Sequence, residues 1–197
     1  MRKLLIVVAL GLPSLARAAT WTLDPAHTSV QFSVRHLMVS TVRGAFGKVT
    51  GTVQVDEKDL THSKIQATID AASIDTRIEK RDAHLKSPDF LDVAKYPTIT
   101  FVSKKIEQAD PGHFKVTGDL TLHGVTREVS LDVEGPTPEI KDPRGNTRAG
   151  AQAATKINRK DFGITWNQVL EAGGVAVSDE VTITIDVEAT KETAAGG

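Results

Sequence analysis

Apolar and polar residues alternate along most of this chain, which is the period of a β-strand with one buried face. In the first such run Val30, Phe32 and Val34 fall on one face, and the residues between them are polar. Alternating runs follow at 42–46, 49–55, 65–71, 99–103, 114–122, 125–133, 149–157 and 181–187. The pattern predicts about eight substantial strands with no repeating helix between them, which favours an antiparallel sandwich or a closed barrel.

Turn residues separate the runs where tight connections are needed. Asp110-Pro111-Gly112 and His123-Gly124 predict hairpins between neighbouring strands, since such residues adopt turn conformations easily. Beside Gly47 the alternation changes phase, and we interpret this slip as a β-bulge that bends a strand. The longest runs reach about ten residues, and this length favours a barrel over a small sandwich.

The segment 73–101 has the punctuation of a helix instead. Thr76, followed by Glu79 three residues later, matches a capping box, and Pro88 ends the helix that they predict. We therefore expect one short helix, with a second short turn after Pro88, to close one end of the sheet.

Small residues occupy many of the positions that face inward: Gly44, Gly51, Ala67, Ala71, Gly118, Ala149, Ala151 and Ala153. An eight-stranded barrel is either just filled by its side chains or has room for one ligand, and small residues leave volume unfilled unless large ones oppose them. The large residues that would fill it as ordinary core are Phe32, Phe46, Phe101 and Phe114. The pattern alone leaves a filled core and a cavity equally open.

The first 19 residues have the composition of a secretory signal peptide. Arg2 and Lys3 provide a basic start, the apolar run 4–12 follows, and Ala16-Arg17-Ala18 is a small-x-small cleavage site. The run is too short for a membrane span, although a retained anchor is the alternative. We predict a cleaved signal peptide at 1–19, a single domain at 20–190 and a disordered tail at 191–197, with export to a bacterial periplasm.

Charge and cysteine content exclude several classes of partner and cross-link. Removal of Arg2, Lys3 and Arg17 from the 24 basic residues leaves 21 against 25 acidic ones, a net charge of −4. Long runs of either sign are lacking, so a nucleic-acid partner is not expected. The chain has no cysteine, so its core must supply the stability. After residue 19 the sequence has no apolar stretch of the ~20 residues that a membrane helix needs.

Sequence motifs for catalysis or metal binding are lacking. A metal site would draw on His27, His36, His84 and His123, but none of them has the spacing typical of metal ligands. Nucleophile elbows, dinucleotide-binding glycine loops and P-loops are also missing from the sequence. We predict no catalytic residue, no bound metal and no cofactor, and a histidine-based metal protein or enzyme remains an alternative.

Several motifs, taken together, resemble those of the YceI-like family of periplasmic proteins, which is related to polyisoprenoid-binding proteins. They follow one another along nearly the whole chain after residue 19: DPAHTS at 24–29, FSVRH at 32–36, RGAFG at 43–47, IDT at 74–76, RDAHL at 81–85, Phe90, YP at 96–97, ITF at 99–101, GDLTLHGVT at 118–126 and RKDFGI at 159–164. The resemblance implies an all-β, lipocalin-like, eight-stranded antiparallel barrel with one or two short helices at its mouth. It also implies a possible homodimer.

The resemblance further implies a ligand with a long apolar chain and a polar head, such as a polyisoprenoid diphosphate, an isoprenoid quinone or a fatty amide. The inward-facing residues then become candidates for the wall of the binding cavity: Phe32, Val34, Phe46, Val53, Ile69, Phe101, Leu120, Leu122, Val129, Leu131, Ile183 and Ile185. Phe90, Tyr96 and Phe162 are expected at its mouth. For each of these residues, plain core packing is the alternative.

Basic residues of the predicted helix are candidates for the head-group contact. Arg77, Arg81 and His84 share one helical face, which suits a diphosphate through charge-assisted hydrogen bonds. A solvated face balanced by neighbouring acidic residues is the alternative. Arg127 lies on the inward phase of its strand and is either a buried head-group contact or a strand-end residue.

The sequence therefore predicts a periplasmic binding or carrier protein that holds an amphiphilic isoprenoid-type lipid inside a hydrophobic barrel. An interaction module with a filled barrel is the first alternative, and a histidine-based metal protein or enzyme is the second.

Overall fold

The computed structural model of this protein describes residues 18–169 and 174–193, which form twelve β-strands. In chain order these are β1 (Ala19–Leu23), β2 (Ser29–His36), β3 (Ser40–Phe46), β4 (Val49–Val55), β5 (Lys64–Asp70), β6 (Ile74–Asp75), β7 (Thr98–Asp110), β8 (His113–Leu122), β9 (Val125–Glu134), β10 (Ile140–Lys141), β11 (Thr147–Asn158) and β12 (Glu180–Lys191). The one α-helix of the described residues is α1 (Glu79–Lys86), and 3-10 turns occur at Leu60–His62, Ala71–Ser73 and Arg159–Phe162. No helix in these ranges has the length and apolar character needed to cross a membrane.

Eight of the strands close into an antiparallel barrel, which confirms the predicted fold class. Their order around the barrel is β11-β9-β8-β7-β5-β4-β1-β12, and β12 returns to pair with β11 along its whole length, from Arg148 opposite Thr190 to Asn158 opposite Glu180. The sequence analysis missed β1, a short strand that precedes the first alternating run. Closure leaves no free edge in this ring, so each strand has one face toward an enclosed interior.

The strand β12 divides its second edge between two partners. Its C-terminal part pairs with β1, where Leu23 lies opposite Ala189, and its N-terminal part pairs with β2, where Phe32 lies opposite Ile183. From β2 the sheet continues through β3 to β6, which leads directly into α1. These three strands form an arm that extends the barrel wall, and the helix lies at the end of the barrel where β12 begins.

The phase change beside Gly47 was interpreted wrongly as a bulge. The strand β3 ends at Phe46 and pairs with β2 and β6, whereas β4 begins at Val49 and pairs with β1 and β5. Gly47 therefore joins the arm to the barrel, and a change of sheet position accounts for the change of phase. The register shifts of the barrel occur instead between β7 and β8, at Ser103/Lys105 and at Gln108/Asp110.

The two predicted hairpins are confirmed. Asp110 pairs with His113 around Pro111-Gly112, and Leu122 pairs with Val125 around His123-Gly124. His123 and Gly124 both have positive φ, 53° and 72°, as a two-residue turn that matches strand twist requires. A Cβ atom at Gly124 would also lie 2.3 Å from the Tyr96 ring, so the turn has room for glycine alone.

The predicted capping box is wrong, although the helix is present. The residue that precedes α1 is Ile78, which makes no side-chain cap hydrogen bond. Thr76 is buried and turns to the helix side chains instead: its backbone N–H donates to Asp82 Oδ1 at 2.9 Å, and its Oγ1 accepts from Arg81 Nε at 2.7 Å. The left-handed φ of 66° at Arg77 separates Thr76 from the helical turn that it was expected to cap.

The predicted domain limits stay a prediction, because most of both predicted terminal segments lies outside the described residues. The predicted signal peptide falls outside the described residues except for Ala18 and Ala19, and Ala19 is the first residue of β1. At the other end β12 continues to Lys191, and the Glu192 N–H donates to the Thr20 carbonyl at 2.8 Å. The sheet therefore includes the first residue of the segment predicted as a tail, and residues 194–197 lie outside the described residues.

A network of charges joins the wall strands on the outer face of the barrel. Arg148 on β11 donates from Nη1 to Asp24 Oδ2 at 2.6 Å and to Glu188 on β12, and from Nε to Asp142 Oδ2 at 2.8 Å. The hydrogen bond from Arg148 holds the pKa of both Asp24 and Asp142 well below the usual 3.8. His27 donates to Asp24, whose carboxylate raises the pKa of His27 above its usual 6.5. The network ties the link between β1 and β2 to the strand pair that closes the barrel.

This network predicts how stability depends on pH. The two aspartates have lowered folded-state pKa values, so their contribution is complete above pH 3.8 and is lost as the pH falls toward those values. His27 has a raised pKa, so its contribution is complete below pH 6.5 and is lost as the pH rises through the folded-state value. We expect Arg148→Met to lower the Tm at neutral pH and to flatten the fall of Tm below pH 3.8, measured by circular dichroism.

The control for this experiment is Arg144→Met. Arg144 is exposed in the loop between β10 and β11, and only its backbone N–H donates a hydrogen bond to Asp142. Replacement of its side chain should therefore preserve the dependence of Tm on pH. If the Tm of Arg148→Met fell below pH 3.8 as steeply as that of the unmodified protein, the hydrogen bonds from Arg148 would not be the cause of the lowered aspartate pKa values.

Candidate functional site

One cavity of about 660 Å³ lies inside the barrel, within the ~300–1,000 Å³ that is typical of small-molecule sites. Its wall is almost entirely apolar and draws side chains from all eight barrel strands and from the arm. Trp21 lines it near the C-terminal end of β12, opposite Lys191, and Trp166 lines it at the end where α1 lies. The cavity therefore follows the barrel from one end toward the other.

Small and large inward residues have different roles in leaving this space open. Ala67, Ala149, Ala151 and Ala153 line the cavity directly, so their missing side-chain volume becomes cavity volume. Gly44 and Gly118 instead make room for aromatic rings, because a Cβ atom there would lie 2.5 Å from the Phe32 ring and 2.6 Å from the Phe101 ring. The phenylalanines that could have filled the barrel lie along its wall: Phe32, Phe46, Phe101 and Phe114.

Thirteen of the fifteen residues predicted for the apolar site line the cavity: Phe32, Val34, Phe46, Val53, Ile69, Phe90, Phe101, Leu120, Leu122, Val129, Leu131, Ile183 and Ile185. The other two lie elsewhere. Tyr96 packs edge-to-face on His123, with ring centroids 4.8 Å apart, and Phe162 is only 1% exposed within the core below the mouth. Both occur on irregular segments, where no strand phase indicates the direction of a side chain. That the thirteen bind a ligand stays a prediction.

The basic residues predicted for the head group separate into two groups. Arg81 and His84 line the cavity from α1. Arg77 precedes the helix in a left-handed conformation and lies in a shallow depression on the outer surface, with Glu79 and Lys86. The proposed cationic face is therefore wrong in including Arg77, because the helix begins after it.

Arg127 also lies away from the cavity. It shares the inward phase of Val125 and Val129 but is exposed, and its Nε donates to the Asp161 carbonyl at 3.1 Å. This contact fastens β9 to the 3-10 turn Arg159–Phe162 at the end of the barrel. Arg127 is thus the strand-end residue that the sequence analysis left as an alternative.

His84 occupies an aromatic corner at this end of the cavity. Its ring packs edge-to-face on both Phe90 and Trp166, with centroid distances of 5.0 Å to each. Its Nε2 lies 2.8 Å from Asp89 Oδ2, which orients the ring. Two aromatic rings and the His84 imidazole therefore meet where the cavity reaches α1.

Arg159 is the polar residue of the site that the sequence analysis missed. It is 4% exposed, lines the cavity, and donates from Nε to the Ser178 carbonyl and from Nη1 to the carbonyls of Ile164 and Trp166, at 2.8–3.0 Å. Burial lowers the pKa of its guanidinium, which the charge of Asp179 partly opposes. In the sequence, Arg159 stands out only as the first residue of the motif at 159–164. The burial of a charged side chain leaves no local pattern, so this position was the one signal that could have indicated it.

Polar groups also occur at the other end of the cavity, where Ser63, Thr137 and Glu139 contribute to the lining. The positive charges are concentrated at the α1 end, with Arg81 and Arg159, and the one carboxylate of the lining is that of Glu139. An amphiphile with an anionic head would therefore be held more favourably with its head toward α1.

The four histidines considered for a metal site do not form a group of metal ligands among the described residues. His36 and His84 line the cavity, and His123 Nδ1 lies 3.2 Å from the Phe162 carbonyl. Within residues 18–169 and 174–193, one group of three has atoms close enough to share a metal ion, Asp24, His27 and Glu188. Arg148 already donates to the facing carboxylate oxygens of Asp24 and Glu188, so these groups serve the structural network.

Comparison with known proteins agrees with this architecture. A family model described as the YceI-like domain matches residues 21–189. A UPF0312 protein of Staphylococcus aureus is 39% identical over 168 residues, which make up 85% of this chain and 95% of that protein.

Solved structures share the fold. BcnA of Burkholderia cenocepacia superposes with a TM-score of 0.72 at 26% identity, covering 84% of this chain and 98% of that one. A polyisoprenoid binding domain from Saccharophagus degradans, implicated in plant cell wall breakdown, superposes with a TM-score of 0.64 at 16% identity, covering 87% and 98%. Since the family model spans most of the chain and a relative matches it over almost its full length, this chain belongs to the YceI-like family.

Proposed function

We propose that this protein binds an amphiphilic lipid with an isoprenoid-type chain and acts as its carrier in the periplasm. The observation that carries the proposal is the apolar cavity of about 660 Å³ that follows the barrel axis. Such a space excludes water from a slender hydrocarbon chain, and burial contributes roughly 25 cal/mol per Å² of apolar surface, less the cost of ordering a flexible ligand. Binding of this kind requires no catalytic group.

The chemistry of the two cavity ends supports an orientation for the ligand. The apolar chain would lie along the barrel toward Trp21, and the polar head would lie near Arg81, His84 and Arg159. A guanidinium pairs strongly with a phosphate or a carbonyl oxygen. Diphosphate and quinone heads both meet this requirement, and a fatty amide meets it through its carbonyl.

The isoprenoid class is supported by the family and by one structural neighbour. The domain from Saccharophagus degradans is a polyisoprenoid binding domain, and it has the same barrel fold. Export is supported by the basic start, apolar run and Ala16-Arg17-Ala18 site of the first 19 residues.

Mass spectrometry of an organic extract tests the proposal. We expect protein purified after native export to release an isoprenoid-type lipid at close to one molecule per chain. The variant Ala153→Phe, whose ring blocks the cavity, should carry little lipid.

Other outcomes identify the alternatives. A bound metal whose loss removes an activity would indicate a metal protein or enzyme. An empty extract from the native protein, with no lipid taken up on incubation, would favour an interaction module and would overturn the proposal.

A further inference from the structure

The turn between β2 and β3 exposes apolar side chains beside the cavity. Leu37, Met38 and Val39 are 39%, 55% and 77% exposed, and Val169 on the neighbouring segment is 80% exposed. We call these four residues the apolar rim. Isolated exposed apolar residues are common, but a contiguous group marks a contact surface.

The exposed turn is held in place by the rest of the protein. Arg35 donates from Nη2 to the Met38 carbonyl at 2.8 Å and from Nη1 to Thr41 Oγ1 at 3.0 Å. The Leu37 N–H donates to the Ala176 carbonyl at 2.9 Å. Leu37 and Met38 both have left-handed φ values, 50° and 60°, which are unfavourable for residues with a Cβ atom. The fold therefore maintains the exposure of these side chains against a backbone cost.

The apolar rim borders the mouth of the cavity. Leu37 is exposed and lines the cavity at the same time, and so does Gln168, which precedes Val169. Ala176 joins the two segments, because its N–H donates to the Gln168 carbonyl and its carbonyl accepts from Leu37. The two segments that carry the exposed apolar side chains are thus joined through Ala176 at the opening near α1.

Two basic side chains flank the apolar rim, and the carboxylate of Glu180 on the adjoining part of β12 is paired with Lys156 Nζ at 2.9 Å. Arg35 and Arg43 lie on the outer face of the β2–β3 hairpin, where Arg35 pairs with Thr41 and Arg43 with Ser33. The nearby carboxylate of Asp179 is engaged by Arg159 and by Lys160 Nζ at 2.9 Å. An anionic surface would meet two basic side chains flanking an apolar tip, which is the chemistry of interfacial membrane contact.

We propose that the apolar rim is a membrane-contact site, at which Met38, Val39 and Val169 enter the surface of an anionic bilayer. The inference rests on the proposed function, because a hydrocarbon chain that moved between bilayer and cavity through open water would lose its apolar contacts on the way. Seating the mouth on the bilayer lets the chain pass from one apolar medium to the other. The basic side chains of Arg35 and Arg43 then face the lipid head groups.

Vesicle flotation tests this site with the double substitution Met38→Ser/Val39→Ser. The vesicles contain phosphatidylglycerol and phosphatidylethanolamine, and vesicles of phosphatidylcholine alone provide the neutral comparison. We expect the unmodified protein to float with the anionic vesicles and the double variant to show a loss of about tenfold or more in the bound fraction. The matched control is Ile140→Ser, which removes an apolar side chain, 62% exposed, on β10 and should float normally.

Binding of a short-chain isoprenoid quinone from solution, followed by quenching of tryptophan fluorescence, separates the two proposals. Met38 and Val39 lie outside the cavity lining, so the double variant should bind the quinone as the unmodified protein does. Flotation without quinone binding would overturn the proposed function and leave the membrane site standing.

Four results of the flotation and quinone assays would overturn the membrane site. The first two are an unmodified protein that fails to float and a double variant that floats normally. The third is an Ile140→Ser variant that loses as much of its bound fraction as the double variant does. The fourth is a double variant whose quinone binding falls along with its flotation. A dimer that dissociates in the double variant, seen by analytical ultracentrifugation, would assign the apolar rim to a second copy of this chain instead.

Discussion

Replacement of Ala153 by phenylalanine should reduce the affinity for an isoprenoid ligand by about 100-fold while the barrel stays folded. Ala153 faces the cavity from β11, between Val133 on β9 and Ile185 on β12. A phenyl ring there presents roughly 150–250 Å². Displacing ~120 Å² of contact between ligand and wall removes roughly 3 kcal/mol at about 25 cal/mol per Å², and each 1.4 kcal/mol is about tenfold in Kd.

The matched control is the neighbouring residue of the same type. Ala154 points to the outer face and is exposed, so Ala154→Phe adds the same ring without entering the cavity. Titration with a short-chain isoprenoid quinone, followed by tryptophan quenching, measures both variants. Thermal denaturation should give Ala153→Phe an unchanged or slightly raised Tm, because the ring fills empty apolar space. If Ala153→Phe were folded and bound the quinone with the affinity of the unmodified protein, the cavity would not be the binding site.

Replacement of Arg159 by leucine should destabilise the protein by about 3–5 kcal/mol. Leucine leaves the carbonyls of Ser178, Ile164 and Trp166 without their donor, and each unsatisfied buried carbonyl costs ~1–3 kcal/mol before the chain relaxes. For a domain of this size the loss corresponds to a Tm lower by roughly 10 °C. Urea denaturation measures the free energy, and Trp166 fluorescence reports the local change.

Two further variants identify the cause of this loss. Arg159→Lys keeps the charge but lacks the fork of donors that reaches separate carbonyls, so it should recover only a small part of the stability. Lys160→Leu removes an adjacent exposed cation that pairs with Asp179, and it should change the stability by no more than ~0.5–1 kcal/mol. If Arg159→Lys were as stable as the unmodified protein, charge alone would explain the role of Arg159 and its hydrogen bonds would be incidental.

Alternation predicted the wall of the barrel well because the direction of a strand side chain is a local property. Once a strand is identified, the side chain of every second residue points to the same face of the sheet. The inward faces of β2, β8, β9 and β12 were predicted in this way, and their apolar side chains line the cavity. The hairpin at His123-Gly124 was predictable for the same reason, since a two-residue turn depends on its own residues.

Irregular segments and the helix ends were predicted less well, because their side chains take their direction from tertiary contacts. Phe162 is buried by the core around it, and Tyr96 packs on His123. Arg77 itself has a left-handed backbone conformation and lies outside α1. The capping box at Thr76 matched a local pattern, but contacts with Arg81 and Asp82 determined the position of that residue instead.

The sequence by itself determined that this chain forms antiparallel strands with apolar side chains on one face, because both properties follow from local period and turn chemistry. Closure of the barrel depends on the pairing of β11 with β12, which no local pattern records. Only the tertiary structure decided that the barrel is hollow. Whether Ala149, Ala151 and Ala153 leave space depends on which side chains oppose them across the interior, and Phe32 lies flat on the wall because Gly44 on the next strand makes room for it. Cavity volume depends on residues far apart in the chain, and no local pattern records it.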